Sequence, residues 1–158
     1  MIGSKRFLPA EWHAQSAVML TWPHPDTDWA PYLDEAYICF AEIANAVAAR
    51  ELLLVVCPYP ELVWPHILPE YKANVRVVSV PSNDTWARDH GPITVIQNGA
   101  LRLFDFTFNG WGMKFAANFD NQINRRLVEQ SVFNADVVYE NQLSFVFEGG
   151  SIESDGEG

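Results

Sequence analysis

A chain of 158 residues is long enough for one domain with a real core, since a chain of that size buries about 70% of its extended surface. Twenty acidic against ten basic residues give a net charge of −10, which argues against binding nucleic acid through phosphate and mildly favours cationic ligands. No run approaches the roughly 18 apolar residues of a membrane span, and Met1 to Ala10 holds no apolar segment of signal-peptide length, so the expectation is a cytoplasmic protein without a membrane partner.

In chain order, Ser16 to Trp22 reads as a first buried strand, broken by Pro23, Pro25 and Asp26. Pro31 opens a helix running to about Arg50, with Leu33, Tyr37, Phe40, Ala44 and Val47 on one apolar face. Leu52 to Cys57 is a continuous apolar run, the pattern of a strand covered on both faces. A poorer helix over Glu61 to Tyr71, interrupted by Pro65, precedes the strand Val75 to Val80. Ile93 to Gln97 and Leu101 to Phe106 flank Asn98-Gly99, the strongest short signal for a tight hairpin. Asn118 to Phe133 is helical in pattern, with Ile123, Leu127 and Val128 on one side, and Asp136 to Tyr139 and Leu143 to Phe147 read as two strands. Ile93 to Tyr139 thus forms a strand-strand-helix-strand unit, within an α/β fold assigned to a single domain over 1–158. The end, Gly149 to Gly158, has hairpin chemistry at Asp155-Gly156 but no returning strand. It reads either as a disordered polar tail or as a chain cut at a turn.

Cys39 and Cys57 make neither a disulfide framework nor a metal spacing and read as buried, inert thiols. His13, His24 and His66 share no metal spacing either. Chemistry concentrates instead in Ser82 to Pro92, which packs Asp84, Trp86, Arg88, Asp89 and His90 between two strands. A polar, aromatic-bearing turn at strand ends is where α/β architectures place binding sites. A second carboxylate, Glu148, stands at a strand end before Gly149-Gly150, two residues that let a backbone approach a ligand closely. The plainer reading of Asp89 is a capping aspartate balanced by Arg88, and of Glu-Gly-Gly an ordinary turn.

The stretch Asn83-Asp-Thr-Trp-Ala-Arg-Asp-His-Gly-Pro92 resembles the signature of agmatine deiminases and bacterial peptidylarginine-deiminase-like proteins, both guanidino-group-modifying enzymes. Phe147-Glu-Gly-Gly150 and Phe108-Asn-Gly-Trp-Gly-Met-Lys-Phe115 resemble further segments of that family. The likeness covers Phe7 to Gly158 and implies part of a fivefold pseudosymmetric α/β propeller of strand-strand-helix-strand units. It implies that Asp89 holds the substrate guanidinium and that Glu148 lies in the site and orients a histidine, both as catalytic carboxylates. Carboxylates suit this task because they match the forked N–H donors of a guanidinium.

Trp86, Trp111, Asp84 and Arg88 are the expected substrate-binding neighbours, the indoles by stacking on a flat cation. The plainer readings are core packing for Trp111 and, for Asp84, a turn or a partner that orients Arg88. Trp22 and Trp29 flank a family-like loop and are weaker candidates. His90 is not read as the acid/base and is expected to bond the backbone or a nearby carboxylate. The family's histidine, in a His-x-Asp segment, and its late cysteine nucleophile have no counterpart here, which implies the N-terminal half of a longer enzyme, inactive alone. That enzyme would convert agmatine and water to N-carbamoylputrescine and ammonia without metal or organic cofactor, and a homo-oligomer is possible. The alternatives are a protein-arginine substrate, or a non-catalytic truncated module that binds guanidines or a partner, or self-associates through exposed strand edges.

Overall fold

In a computed structural model describing residues 6–157, the chain forms two sheets bridged by helices. Residues 1–5 of the stretch read above for an export signal, and Gly158, lie outside the described residues. The elements are β1 (Arg6–Phe7), β2 (Val18–Thr21), α1 (Leu33–Ala48), β3 (Leu53–Val56), β4 (Val75–Val78), α2 (Ala87–His90), β5 (Ile93–Gln97), β6 (Ala100–Thr107), α3 (Gly110–Met113), α4 (Asp120–Glu129) and β7 (Val138–Val146). No helix among the described residues is long and apolar enough to cross a membrane.

One sheet is parallel, in the order β2-β3-β4. All four residues of its central strand are buried, as the unbroken apolar run requires. Their alternation splits the core in two. Leu53, Val55 and Cys57 face Ala44, Ala48, Val63 and Ile67 in one cluster. Leu54 and Val56 face Ile123 and Leu127 of α4 in the other. Burying side chains of this size contributes about 1.5–3 kcal/mol each, so α4 is fastened to the first sheet by its apolar stripe.

The second sheet runs β1-β5-β6-β7. The β5–β6 hairpin closes through Asn98 and Gly99, with φ of 52° and 81°, the left-handed pair that a tight hairpin turn requires. From β6 the chain crosses through α4 to β7, which pairs parallel with β6. The expected strand-strand-helix-strand order is therefore present, in a mixed α/β fold. Neither sheet closes on itself.

Several expectations are corrected. Glu61 to Tyr71 holds no α-helix but three short 3-10 turns, Pro60–Leu62, Trp64–His66 and Pro69–Asn74, each with a proline at its start. Repeated prolines remove the N–H donors that an α-helix needs. The two strands expected between Asp136 and Phe147 are one, because Glu140, Asn141 and Gln142 keep pairing with β6 while Arg102 neutralises Glu140. The segment after β7 is tied to the start of the described chain: Ser154 Oγ donates to the Leu8 carbonyl at 2.7 Å. Cys39 is exposed on α1 rather than buried.

Candidate functional site

Between β4 and α2 the chain is held by an exchange of side-chain caps. The Asp120 Oδ1 accepts the Asn83 backbone N–H at 2.7 Å, while Asn83 Oδ1 accepts the Phe119 N–H at 2.7 Å. Asp84 Oδ1 accepts from the Thr85 N–H at 2.7 Å and from the Trp29 indole at 2.9 Å. Asp84 is thus a turn former that ties the loop after β2 to the loop before α2.

The single turn α2 presents Asp89 with both oxygens engaged. Oδ2 accepts the Trp111 indole N–H at 3.2 Å and Oδ1 accepts the Gly150 backbone N–H at 3.1 Å. Arg88 is occupied differently. Its Nε donates to the Gly149 carbonyl at 3.1 Å and its Nη2 to the Ile152 carbonyl at 3.2 Å, while Glu11 and Glu153 neutralise it. Its nitrogens are thus engaged within the chain, two on backbone carbonyls and one on the Glu11 carboxylate.

Close packing here explains the Gly149-Gly150 pair. A Cβ on Gly149 would lie 2.1 Å from the Arg88 carbonyl oxygen, and one on Gly150 would lie 2.3 Å from Asp89 Oδ1. These glycines let the backbone approach the Arg88-Asp89 turn closely.

Glu148 follows β7 and lines an open cleft of about 490 Å³ with Trp111, Asn109, Val146, Phe147 and Ser151. Among the described residues its carboxylate has no hydrogen-bond or ion-pair partner. The same indole that bonds Asp89 therefore walls the cleft that Glu148 enters. Trp111 sits in α3, where Gly110, Trp111, Gly112 and Met113 have φ of 59°, 56°, 80° and 64°. A left-handed turn costs a non-glycine residue roughly 1–2 kcal/mol. Asn109 offsets part of that, its side chain accepting from Gly112 at 2.8 Å and its carbonyl from Met113 at 2.7 Å. The turn aims Trp111 across Phe108 and Phe115, and Trp86, 51% exposed, meets it edge-on with centroids 6.4 Å apart.

Two other constellations are excluded as chemistry. Cys57 is buried and its thiol is pushed up to about 11, chiefly by burial, so it is no thiolate near neutrality. Ser82, His24 and Asp26 lie together, with His24 Nε2 3.0 Å from Ser82 Oγ. But His24 Nδ1 lies 3.9 Å from the Asp26 carboxylate, beyond hydrogen-bond reach, with the Asp26 backbone N–H nearer at 3.4 Å. A hydrolytic triad needs that carboxylate to accept a hydrogen bond from Nδ1.

The family model for Porphyromonas-type peptidyl-arginine deiminases matches residues 7–158. This chain belongs to that family. An agmatine deiminase from Stutzerimonas stutzeri is 35% identical over 96% of the chain. A candidate arginine deiminase from Porphyromonas gingivalis is 50% identical and superposes over 97% of the chain with a TM-score of 0.89. A variant of C. jejuni agmatine deiminase with substrate bound is 34% identical and superposes over all of it with a TM-score of 0.87. The chain spans 42% of the S. stutzeri protein and 45% of each of those two solved chains.

Within this family member, Asp89, Trp86 and Trp111 come together, Glu148 joins them through the Trp111 cleft, and Asp84 and Arg88 serve neighbouring turns. His90 is buried and bonds the Thr21 hydroxyl at 3.3 Å through Nε2, a correction to the backbone or carboxylate partner expected. The sequence reading missed Asp105 and Asn124, both buried. Their signals were available: Asp105 shares the inward alternation of Leu103, and Asn124 precedes Leu127 by three residues on the apolar side of α4.

Burial pulls His90 down to about 4, whereas it pushes Asp120 up to about 6 against the opposing bonds from Asn83 and Asp84. The signs oppose. His90 protonates more readily unfolded, so its contribution is lost as pH falls from about 6.5 toward 4. Asp120 holds its proton more tightly folded, so its contribution grows as pH falls through about 6. Each group shifts the balance by up to about 1.4 kcal/mol per pH decade. Thermal melts of Asp120→Asn are therefore expected to fall more steeply from pH 6 to 4 than those of the parent. Parallel curves would contradict this.

Proposed function

We propose that this chain is the guanidinium-binding portion of an agmatine deiminase-type hydrolase, in which Asp89 and Glu148 grip the flat cationic head of the substrate. The observation that carries the reading is Trp111: its N–H holds Asp89 while its ring walls the cleft containing Glu148. An unpartnered carboxylate beside an indole, with a second oriented carboxylate behind that indole, is a negative, aromatic setting suited to a planar cation. Trp86 extends the aromatic wall from the exposed side.

Hydrolysis of agmatine needs a nucleophile to attack the guanidinium carbon, expel ammonia, and yield to water. Neither cysteine here fits that task, since Cys57 is buried and Cys39 sits on the exposed side of α1. The nucleophile and its acid/base are assigned to the remainder of a longer enzyme, part of a fivefold α/β propeller. The chain alone is then inactive, and the product places the enzyme in putrescine formation. Asp84 and Arg88 take supporting roles, one forming the preceding turn and the other clamping 149–153.

The test is turnover by the full-length protein containing this chain. Agmatine should release equal amounts of ammonia and N-carbamoylputrescine, read by coupled assay and mass spectrometry. Turnover of peptidyl-arginine without agmatine would select the other substrate of this family, and turnover of neither would defeat the proposal.

A further inference from the structure

We propose that Asp105, acting through Asn124 and Tyr139, is a positioning residue that fixes the two candidate guanidinium-binding carboxylates relative to one another; this rests on the role assigned above to Asp89 and Glu148. Asp105 is 0% exposed, and no cation among the described residues pairs with it. Its Oδ1 accepts the Asn124 amide at 2.8 Å and its Oδ2 accepts the Tyr139 hydroxyl at 2.6 Å. The same Asn124 nitrogen donates to the His90 carbonyl at 3.0 Å. Both targets of that nitrogen are acceptors, which fixes the amide's orientation and leaves its buried Oδ1 without a partner. Burial and the Asp105 bond raise the Tyr139 phenol, keeping it in its donating form.

Stability does not account for this arrangement. An unsatisfied buried amide oxygen costs roughly 1–3 kcal/mol, and well-packed apolar residues commonly replace buried ionic groups without loss. What the network joins is more telling. Asn124 holds the last carbonyl of α2, one residue from Asp89. Tyr139 stands on β7, the strand that leads to Glu148. Asp105 on β6 is the group common to both. The two segments that carry the candidate carboxylates are 59 residues apart in sequence, reckoned from positions 89 and 148, and this buried carboxylate ties both to one strand.

A double-mutant cycle in the full-length protein tests the assignment. Asp105→Ala is expected to lower kcat/KM for agmatine by roughly tenfold or more, normalised to folded protein by circular dichroism. In an Asp89→Asn background the same change should cost less than about threefold, because the group it positions has lost its charge. Asp105→Asn, which retains an acceptor for Asn124, should recover most of the activity. Should Asp105→Ala fail to fold, Tyr139→Phe removes only the hydroxyl and enters the same cycle, with a loss of about threefold expected in the parent and none beside Asp89→Asn. Equal losses in both backgrounds, with the parent enzyme active, overturn the positioning role alone. An inactive parent instead overturns the functional reading on which it rests.

Discussion

Asp89→Asn in the full-length protein is expected to lower kcat/KM for agmatine by roughly 100-fold or more, equivalent to about 2.7 kcal/mol of transition-state stabilisation. The size follows from the contacts. Asp89 is already oriented by the Trp111 and Gly150 donors, so no ordering is required when a guanidinium arrives. Charge-assisted hydrogen bonds contribute about 1.5–3 kcal/mol net, and an amide offers one acceptor where the carboxylate offers two. The new NH2 must also face one of those N–H donors, so a modest fall in melting temperature accompanies the loss. Glu148→Gln should match the kinetic effect without the thermal one, because among the described residues the Glu148 carboxylate has no partner to lose. The two variants, measured by steady-state kinetics and thermal melts, separate a held carboxylate from a waiting one. Near-normal turnover in either removes that residue from the site.

The parts of this fold legible in the sequence are those written in short-range patterns. The run Leu52 to Cys57 announced a strand covered on both faces, and Asn98-Gly99 announced its hairpin, because burial and turn geometry each leave a local trace. The expected strand-strand-helix-strand unit followed from the same signals. The break expected inside β7 arose because Glu140, Asn141 and Gln142 look like loop chemistry; only pairing across to β6, where Phe104 stands opposite Glu140 and the Arg102 side chain reaches its carboxylate, keeps them extended. Tertiary pairing overrode local preference there.

At the candidate site the motif residues were visible, yet their division of labour was not. Nothing local separates the aspartate that forms a turn, Asp84, from the one held by the Trp111 indole, Asp89. The distinction lies in partners distant in sequence, Trp29 for one and Trp111 with Gly150 for the other. Arg88 and Asp89 are neighbours in one helical turn, which sends their side chains in different directions: Arg88 reaches 149–153 and Glu11, Asp89 reaches Trp111 and Gly150. Asp105 left only the alternation of β6 as a signal, since its partners lie on α4 and β7, where no motif points back to it.

The Gly149-Gly150 pair offers a second large effect, and the two substitutions should fail in different ways. At Gly149 an alanine methyl would meet a backbone carbonyl at 2.1 Å, with Ile93 also within 3.4 Å. The Arg88 backbone cannot swing aside as a side chain can, so Gly149→Ala is expected to destabilise by roughly 3 kcal/mol or more and to lose soluble protein. At Gly150 the methyl meets the end of a flexible side chain, Asp89 Oδ1 at 2.3 Å. That side chain can rotate, so the fold survives. The carboxylate, however, gives up both its Gly150 and Trp111 donors to do so. Gly150→Ala should then retain the parent melting temperature within a few degrees while kcat/KM for agmatine drops by roughly 10- to 100-fold. Circular dichroism and kinetics on the pair read the contrast directly: unfolding at 149, misalignment at 150. If Gly150→Ala keeps full activity, Asp89 does not need its present orientation to hold a guanidinium, and the carboxylate grip loses its geometric basis.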